Sequence, residues 1–367
     1  MGIQNSHPLA CKGYVQSPTR TGYEQVVAHR TSDLFAFAAR KPGKVISKKA
    51  TGIVVEYTDG TKKGIELGRR FGSAAGLTIA HEVVSNLKEG DTFEAGDIIS
   101  YNEGHFEADL INPKNVVLKA GVLANVVLLE STETHEDASS ISRALAAQLT
   151  TKITKVKTIV VNFDQIIKNL VKPGQVVTHE SILCVIEDAV TSNANLFDEV
   201  SLNTLRILSN QTPTAKVNGV VERVEVYYHG DMEDMSDSLR TLAMASDKEF
   251  GIRFRSQGKT AYTGSVTGDF RNEGEPLGID CLAVKIYITG EVTAGVGDKG
   301  VFANQMKTVF SKVIQDVITT ESGVVVDAVF GGKSINARIV NNPVDIGTTN
   351  TLLEVIGRKA FEIYKGT

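Results

Sequence analysis

The chain has 367 residues, which is enough for two or three domains with buried cores. Hydrophobic residues make up 42% and charged residues 22%, a balance typical of globular proteins, and no apolar run is long enough to span a bilayer. The net charge of -4 argues against a protein that holds nucleic acid alone, because phosphate neutralisation needs excess cations. It still allows one component of an assembly with a shared basic channel.

The first part of the chain predicts short strands. Residues 44–47, 53–57 and 63–67 are apolar runs, and Asp59-Gly60 between the last two is a strong hairpin signal. Further strands are predicted at residues 115–118 and 122–130. A helix is predicted over residues 135–149, because a Thr-x-x-Glu/Asp-like start opens a helical period there.

Two segments of the chain resemble each other, residues 87–99 and residues 171–183. Both follow the order apolar residue, lysine, turn with glycine, strand, turn, strand, which is the pattern of a barrel-sandwich or lipoyl-like fold. Any tight hairpin produces a similar pattern, so a true repeat and a coincidence both remain open. Because no carrier lysine lies between the strands, a biotin or lipoyl attachment site is a distant alternative.

The second half of the chain continues the same alternation. Strands are predicted at residues 219–228, 282–289 and 323–330, and a helix at residues 348–364 with Leu352, Leu353, Ile356 and Ala360 on one face. The acidic residues 231–237 lack the glycine and final glutamate of a calcium loop, so we expect a solvated acidic loop. The predicted class is mainly β with a few helices (α+β).

Familiar catalytic motifs are missing from the sequence. It has no phosphate-binding Gly-x-x-x-x-Gly-Lys, no dinucleotide-binding glycine pattern, no His-Glu-x-x-His and no nucleophile elbow. It also lacks an Asp-x-Asp-x-Asp loop, so we expect it to hold no catalytic metal by itself. The widely spaced Cys11, Cys184 and Cys281 predict buried thiols without a disulfide or metal site.

Three cations lie in turn-rich segments of the last quarter. Lys299 stands in Gly297-Asp298-Lys299-Gly300, Lys307 follows eight residues later, and Arg338 ends the segment that Lys333 begins. Lysine can deliver a point charge to a phosphate, and the arginine fork can bridge two phosphate oxygens. Taken singly, each is more often an ordinary surface charge.

These cations belong to a longer series of motifs. In chain order the series is Thr21-Gly22-Tyr23-Glu24, Glu136-Asp137 with Ile141-Ser142, Gly219-Val220-Val221, Ala283-Val284-Lys285, Gly297-Asp298-Lys299, Lys307, Val326-Asp327, Arg338, Ile346-Gly347 and Leu353-Glu354. The series resembles the C-terminal, catalytic half of the β subunit of multisubunit DNA-directed RNA polymerases. Its divergence is similar to that of the split subunits of large bacteriophages.

The resemblance implies a fold with named parts. It is a double-psi β-barrel with a barrel-sandwich hybrid module and a reduced flap. Residues 1–104 would form the hybrid or barrel-sandwich region, residues 105–154 the first part of the barrel, residues 155–275 the flap-like region, and residues 276–367 the second part of the barrel with the catalytic helix.

The resemblance also implies nucleotidyl transfer, with activity only in the assembled complex. Lys299 and Lys307 would contact the RNA 3′ end or the α-phosphate, and Arg338 would hold the triphosphate. Glu136, Asp137 and Lys333 would also bind substrate, the two carboxylates approaching the second metal through water. The ligands of Mg²⁺ would come mainly from a partner subunit.

The implied partners are β′-type subunits, the N-terminal half of β as a separate chain, and a specificity factor. DNA template, RNA and nucleoside triphosphates would be bound, no membrane would be involved, and the chain would work in the cytoplasm of a bacterial host, with packaging in the virion as an option. The alternative from another class is a non-catalytic, β-rich structural or virion interaction protein.

Overall fold

A computed structural model describes residues 2–5, 9–74, 77–109, 112–188, 211–259, 263–272, 274–303, 305–337 and 341–366. Strands hold 41% and helices 21% of the chain, so the predicted mainly β class with few helices is confirmed. Within these ranges, no helix combines the length and the apolar character that crossing a bilayer requires.

The strands, in chain order, begin with β1 (Gly2–Asn5), β2 (Ala36–Ala38), β3 (Gly43–Lys49), β4 (Gly52–Tyr57), β5 (Lys62–Glu66), β6 (Gly68–Ala74), β7 (Leu77–Val84), β8 (Thr92–Phe93), β9 (Ile98–Asn102), β10 (Phe106–Ala108), β11 (Val116–Leu118), β12 (Val122–Leu123) and β13 (Val126–Leu128). They continue with β14 (Ala138–Ser142), β15 (Thr151–Asn162), β16 (Ile166–Lys168), β17 (Val176–Val177), β18 (Val185–Glu187), β19 (Gly219–His229), β20 (Arg271–Asn272), β21 (Glu275–Pro276), β22 (Cys281–Val292), β23 (Lys299–Phe302), β24 (Met306–Ile314) and β25 (Ala328–Phe330). The helices are α1 (Tyr23–Val26), α2 (Arg143–Gln148), α3 (Asp237–Arg255), α4 (Gly332–Ala337) and α5 (Asn342–Lys365), with short 3-10 turns at Val27–His29, Thr132–Thr134 and Met232–Asp234.

A curled, seven-stranded sheet gathers strands from distant parts of the chain. Its order is β12-β1-β23-β24-β14-β25-β13, and two of its pairs, β14 with β24 and β13 with β25, are parallel. Along β24 the alternation of the sequence sends Met306, Thr308 and Phe310 into the core, while Lys307 and Val309 stay exposed. The concave side is filled mainly by aromatic and aliphatic side chains, including Ile3, Phe302, Phe310, Phe330 and Leu145.

A second sheet forms the largest core. Its order is β17-β19-β22-β15-β7-β9-β2, with β6 added to β7. Strands β15 and β22 pair along their whole length, from Thr151 opposite Val292 to Asn162 opposite Cys281. Helix α3 covers one side, since Leu239 and Ala243 belong to this core.

A smaller sheet, with the order β5-β4-β3-β8, meets the end of α3. Its inner side buries Val45, Ile53, Val55, Ile65 and Phe93. On its outer side the backbone after α3 approaches two glycines very closely: a Cβ added at Gly52 would lie 2.6 Å from the Ser256 carbonyl oxygen, and one at Gly64 would lie 1.8 Å from that of Gln257. Only glycine permits this contact.

The two similar segments adopt the same turns, so the resemblance between them is structural. Gly90 and Gly174 both have φ of 91°, in the left-handed region that favours glycine. Each segment then closes two turns with side-chain acceptors three residues on. The matched pairs, backbone N–H to side-chain oxygen, are Lys88 to Asp91 and Lys172 to Gln175, then Glu94 to Asp97 and Thr178 to Ser181.

The two copies also pair with equivalent strands, but in opposite chain order. Val45 N donates to Asp91 O at 2.9 Å, and Val221 N donates to Gln175 O at the same distance. The partner strand therefore precedes the turns in the first copy and follows them in the second.

Several predicted elements need correction. The helix predicted over residues 135–149 is wrong in its first half, because residues 138–142 form β14 and only Arg143–Gln148 is helical. The predicted strand 122–130 is split into β12 and β13, and that at 323–330 is reduced to β25. Helix α3 was not predicted, and the acidic loop before it contains a 3-10 turn.

Candidate functional site

Lys299 and Lys307 lie on the same outward face of two neighbouring strands. Strands β23 and β24 are antiparallel, with Lys299 opposite Val309 and Val301 opposite Lys307. Paired residues share a face, so both ammonium groups leave the sheet on the side away from the core. Both side chains are exposed, and neither forms an ion pair with a described residue. The sheet thus presents two uncompensated positive charges close together.

The turn before Lys299 is held in place by the strand that carries Lys307. Gly295 N donates to the carboxylate of Asp298 at 2.8 Å, and Phe310 N donates to Asp298 O at 2.9 Å. A cleft of about 320 Å³ opens beside it, with Leu9, Leu149, Ile153, Val292 and Lys299 among its lining residues. Lys299 therefore stands at the rim of a partly apolar cleft.

Glu136 and Asp137 form a turn that leads into β14, next to the lysine-bearing strand. Val309 N donates to Asp137 O at 3.0 Å, so the turn lies beside the middle of β24. Glu136 has φ of 54°, a left-handed conformation that is uncommon for residues other than glycine. Both side chains are exposed. The structure therefore brings the turn with the predicted carboxylates next to the strand that carries Lys307.

Buried hydroxyl groups fix the position of this acidic turn. Thr308, only 1% exposed, has its Oγ1 at 2.7 Å from Asp137 O and at 2.8 Å from the Oγ of Ser139, which is fully buried. Ser311 donates to Glu133 O and to Ser139 O around a bulge in the pairing of β14 with β24. Sequence reasoning missed these residues, although a threonine at an inward position of β24 was the available signal.

A nearby lysine on the same sheet, Lys312, is neutralised by an ion pair with a glutamate. Lys312 Nζ lies 3.1 Å from Glu133 Oε1, and the hydrogen bond from Lys312 is the main reason why the pKa of Glu133 is lowered. Lys299 and Lys307 have no such carboxylate partner among the described residues. Their charges remain available for an external anion.

Lys333 lies in α4, directly behind the acidic turn. Its backbone N–H donates to Glu130 Oε1 at 2.6 Å, and the hydroxyl of Ser334 donates to Glu136 O. The Lys333 side chain is exposed. Arg338 lies outside the described residues, so its predicted position is not described.

Among the described residues of the site, only Glu136 and Asp137 are considered as ligands for a hard cation such as Mg²⁺. Among the described residues no group of three or more His, Cys, Asp or Glu side chains is arranged to hold a metal ion. Glu136 and Asp137 offer carboxylate oxygens, which Mg²⁺ prefers, and two carboxylates can hold it through its waters. The predicted supply of Mg²⁺ ligands by a partner stays a prediction.

No protein-family model matches this chain, and no curated protein is a match for it. The interpretation of the site therefore depends on its geometry and on the order of its motifs.

Proposed function

We propose that this chain is a β-type, C-terminal-half subunit of a DNA-dependent RNA polymerase. In the assembled complex it contacts the incoming nucleoside triphosphate and the RNA 3′ end, while a β′-type partner holds the catalytic Mg²⁺. The observation that supports this most directly is the pair Lys299 and Lys307, exposed side by side on one sheet face with the Glu136–Asp137 turn beside them.

The proposed role of Lys299 and Lys307 is electrostatic stabilisation of negative charge. In nucleotidyl transfer the RNA 3′ oxygen attacks the α-phosphate and pyrophosphate leaves, so negative charge builds up on the phosphate oxygens in the transition state. Two ammonium groups fixed on a rigid sheet stabilise that charge without reorganising. Mg²⁺, when bound, neutralises the phosphates and activates the 3′ hydroxyl. Glu136 and Asp137 would contact its water shell, and Lys333 and Arg338 the triphosphate.

The fold is included in the proposal. We assign the curled seven-stranded sheet to a double-psi β-barrel, supported by its two parallel strand pairs, β14/β24 and β13/β25. The turn module at residues 87–99 would belong to the barrel-sandwich hybrid region, residues 1–104, and the equivalent module at residues 171–183 would lie in the flap-like region. Residues 155–275 would act as the flap-like region. The site of action would be the cytoplasm of a bacterial host, with virion packaging as an option.

The subunit character of the proposal is supported by helix α5. Of its residues only Pro343 and Asn350 are buried, whereas Leu352, Leu353, Ile356, Phe361 and Ile363 are exposed. Isolated helices gain most of their stability from packing an apolar face, so α5 needs a partner surface. We expect that surface on the β′-type subunit.

The same helix favours the alternative function. A non-catalytic structural or virion protein would also use an exposed apolar helix for assembly. The alternative gives no role to the paired lysines, so the two functions can be separated by experiment.

The test is affinity purification of the chain with its native partners, followed by RNA extension on a preformed template–primer scaffold. We expect a partner with an aspartate-rich metal loop. Lys299→Ala and Lys307→Ala should each reduce the extension rate by roughly 10²- to 10³-fold, the usual cost of removing one transition-state contact. Lys312→Ala is the matched control, because that lysine is on the same strand and already paired with Glu133. Full activity of the double Lys299/Lys307 variant would exclude this function.

A further inference from the structure

One segment of this acidic chain is strongly basic. Residues 40–70 have a net charge of +6, whereas the whole chain has a net charge of -4. The segment forms strands β3, β4 and β5 and the start of β6. Its cations are Arg40, Lys41, Lys44, Lys48, Lys49, Lys62, Lys63, Arg69 and Arg70, against Glu56, Asp59 and Glu66.

The pairing register separates the cations of this segment by face. On the outer face Lys44 and Lys62 flank Glu56, since both are paired with it, and Lys49 lies opposite Gly52. Lys44, Lys49 and Lys62 are all exposed. We call this the outer face of the small sheet.

Several other cations of the segment already have partners within the chain. Lys48 Nζ donates to the carbonyl oxygens of Ser85 and Leu87, and Lys63 Nζ lies 3.9 Å from the carboxylate of Asp33. Arg69 and Arg70 pair with carboxylates. Lys44 and Lys49 on the outer face, by contrast, form no ion pair with a described residue, and Lys62 has only a long one, 3.8 Å, to Glu56.

The end of α3 adds charge to the same place. Ser256 and Gln257 pack on Gly52 and Gly64, and Gly258 lies against Val54, so Arg255 before them and Lys259 after them adjoin the outer face. Both are exposed and neither pairs with a carboxylate among the described residues, while Lys259 Nζ lies 5.5 Å from the centre of the Phe254 ring. Two elements distant in sequence therefore contribute to one basic surface.

We propose that this outer face, with Arg255 and Lys259, binds the phosphate backbone of a nucleic acid. Lys44 and Lys49 lie at the two ends of β3, about 17 Å apart at roughly 3.3 Å per residue. Along the axis of a DNA duplex, that length covers roughly five base-pair steps of about 3.4 Å each. The surface thus matches an extended polyanion better than a single phosphate group.

A nucleic acid is favoured over an anionic membrane because the outer face lacks exposed large apolar side chains among its described residues. None of the residues 40–70 is among the exposed large hydrophobic side chains of the described chain. Proteins that lie on membranes usually insert such side chains between the lipids. The choice of nucleic acid over an acidic protein rests on the proposed polymerase function.

The experiment measures binding of the purified full chain to a fluorescein-labelled 30-base-pair DNA duplex by fluorescence anisotropy, between 50 and 200 mM KCl. If about three phosphate contacts form, the wild-type affinity should fall roughly 40-fold over this range. The triple variant Lys44→Ala/Lys49→Ala/Lys259→Ala should bind at least tenfold more weakly at 50 mM KCl, with a flatter salt dependence. The control Lys155→Ala/Lys172→Ala/Lys359→Ala makes the same change of charge at exposed positions outside the small sheet, and should stay within twofold of the wild type.

Three outcomes would overturn the inference. One is equal weakening in the two triple variants, which would indicate an effect of net charge alone. Another is no binding by the wild-type chain to the duplex or to a single-stranded RNA of equal length. The last is binding to phosphatidylserine vesicles without binding to nucleic acid. Because this assay needs no catalysis, its failure leaves the extension test of Lys299 and Lys307 unaffected, and circular dichroism of each variant checks folding.

Discussion

At the scale of single residues, two histidine rings lie close together, His81 buried and His105 half-buried, without a carboxylate partner among the described residues. The rings of His81 and His105 are 6.2 Å apart, and Phe35 contacts both edge-on. His81 is only 4% exposed, and its Nδ1 lies 2.6 Å from Asn102 Nδ2. Burial is the main cause that lowers the pKa of both to about 4; Arg70 adds to the effect at His81 and His81 itself at His105. Both imidazoles are therefore neutral at pH 7.

These histidines should make the stability of the chain depend on pH. In the unfolded chain their pKa is about 6.5, so below that pH the unfolded state binds more protons and is favoured. Above pH 6.5 both histidines are neutral in the folded and in the unfolded chain, so they do not reduce the free energy of unfolding. As the pH falls from 6.5 towards 4, that free energy falls progressively. By pH 5 each should reduce the free energy of unfolding by about 1–2 kcal/mol, measured by urea denaturation at pH 7 and pH 5.

His105→Gln serves to assign this effect, because glutamine does not titrate. The variant should lose about half of the difference in unfolding free energy between pH 7 and pH 5. If the wild type is equally stable at the two pH values, the histidines are solvated and the described burial is wrong.

At the scale of elements, the sequence predicted the hairpins and the helix whose structure depends on short-range interactions. The hairpin of β4 and β5 was predicted from Asp59-Gly60, and there Thr61 N donates to Asp59 Oδ1 while Gly60 takes a positive φ. Helix α5 was predicted from its period alone. The proximity of Lys299 and Lys307 also follows from a short hairpin, since the two strands are adjacent in sequence.

Long-range packing decided the elements that the sequence did not predict. Residues 138–142 carry helix signals, but Ser139, Ser140 and Ile141 are buried between β24 and β25, and this pairing overrides propensity. Helix α3 was missed because small residues, Ala243 and Ser246, occupy two of its buried positions. The contact of Thr308 with Ser139 joins residues 169 positions apart, which no local pattern encodes.

The contact between α3 and the small sheet can be tested at Gly64. A Cβ there would lie 1.8 Å from the backbone oxygen of Gln257, which cannot move as a flexible side chain would. Gly64→Ala should therefore force the end of α3 away and lower the free energy of unfolding by about 2–4 kcal/mol. The measurement is urea denaturation at pH 7.

Gly357→Ala is the matched control for this substitution. Gly357 lies in the exposed part of α5 and a Cβ there meets no atom within 4 Å, so alanine should be neutral or stabilise the helix by up to about 1 kcal/mol. A Gly64→Ala variant as stable as the wild type would show that residues 256–258 do not rest on the sheet.

At the scale of the whole molecule, the charged surfaces and the exposed apolar surface lie on different elements. The lysine pair and acidic turn lie on the seven-stranded sheet, the basic outer face lies on the small sheet, and the exposed apolar side chains lie on α5. Under the proposed function, each surface would make a different contact in the assembly.

Helix α5 yields the prediction at this scale. Leu353→Asp/Ile356→Asp replaces two exposed apolar side chains, so the isolated chain should keep its free energy of unfolding within about 0.5 kcal/mol. Recovery of the partner subunits in affinity purification should fall at least tenfold, because two charges would have to be buried in the interface. Glu354→Ala/Arg358→Ala, which removes an exposed ion pair from α5, is the control. Unchanged recovery with the aspartate variant would assign partner binding to another surface.

The opposite chain order of the two turn modules has a consequence for folding. The bond from Val45 to Asp91 closes a loop of 46 residues, and so does the bond from Val221 to Gln175. Because the entropy lost on closing a loop depends on its length and not on its direction, connectivity gives neither module an advantage. Which one forms first is then decided by packing against other elements. Helix α3 contacts both, because its body packs in the core of the second module's sheet and the residues at its end pack on Gly52 and Gly64 of the first module's sheet.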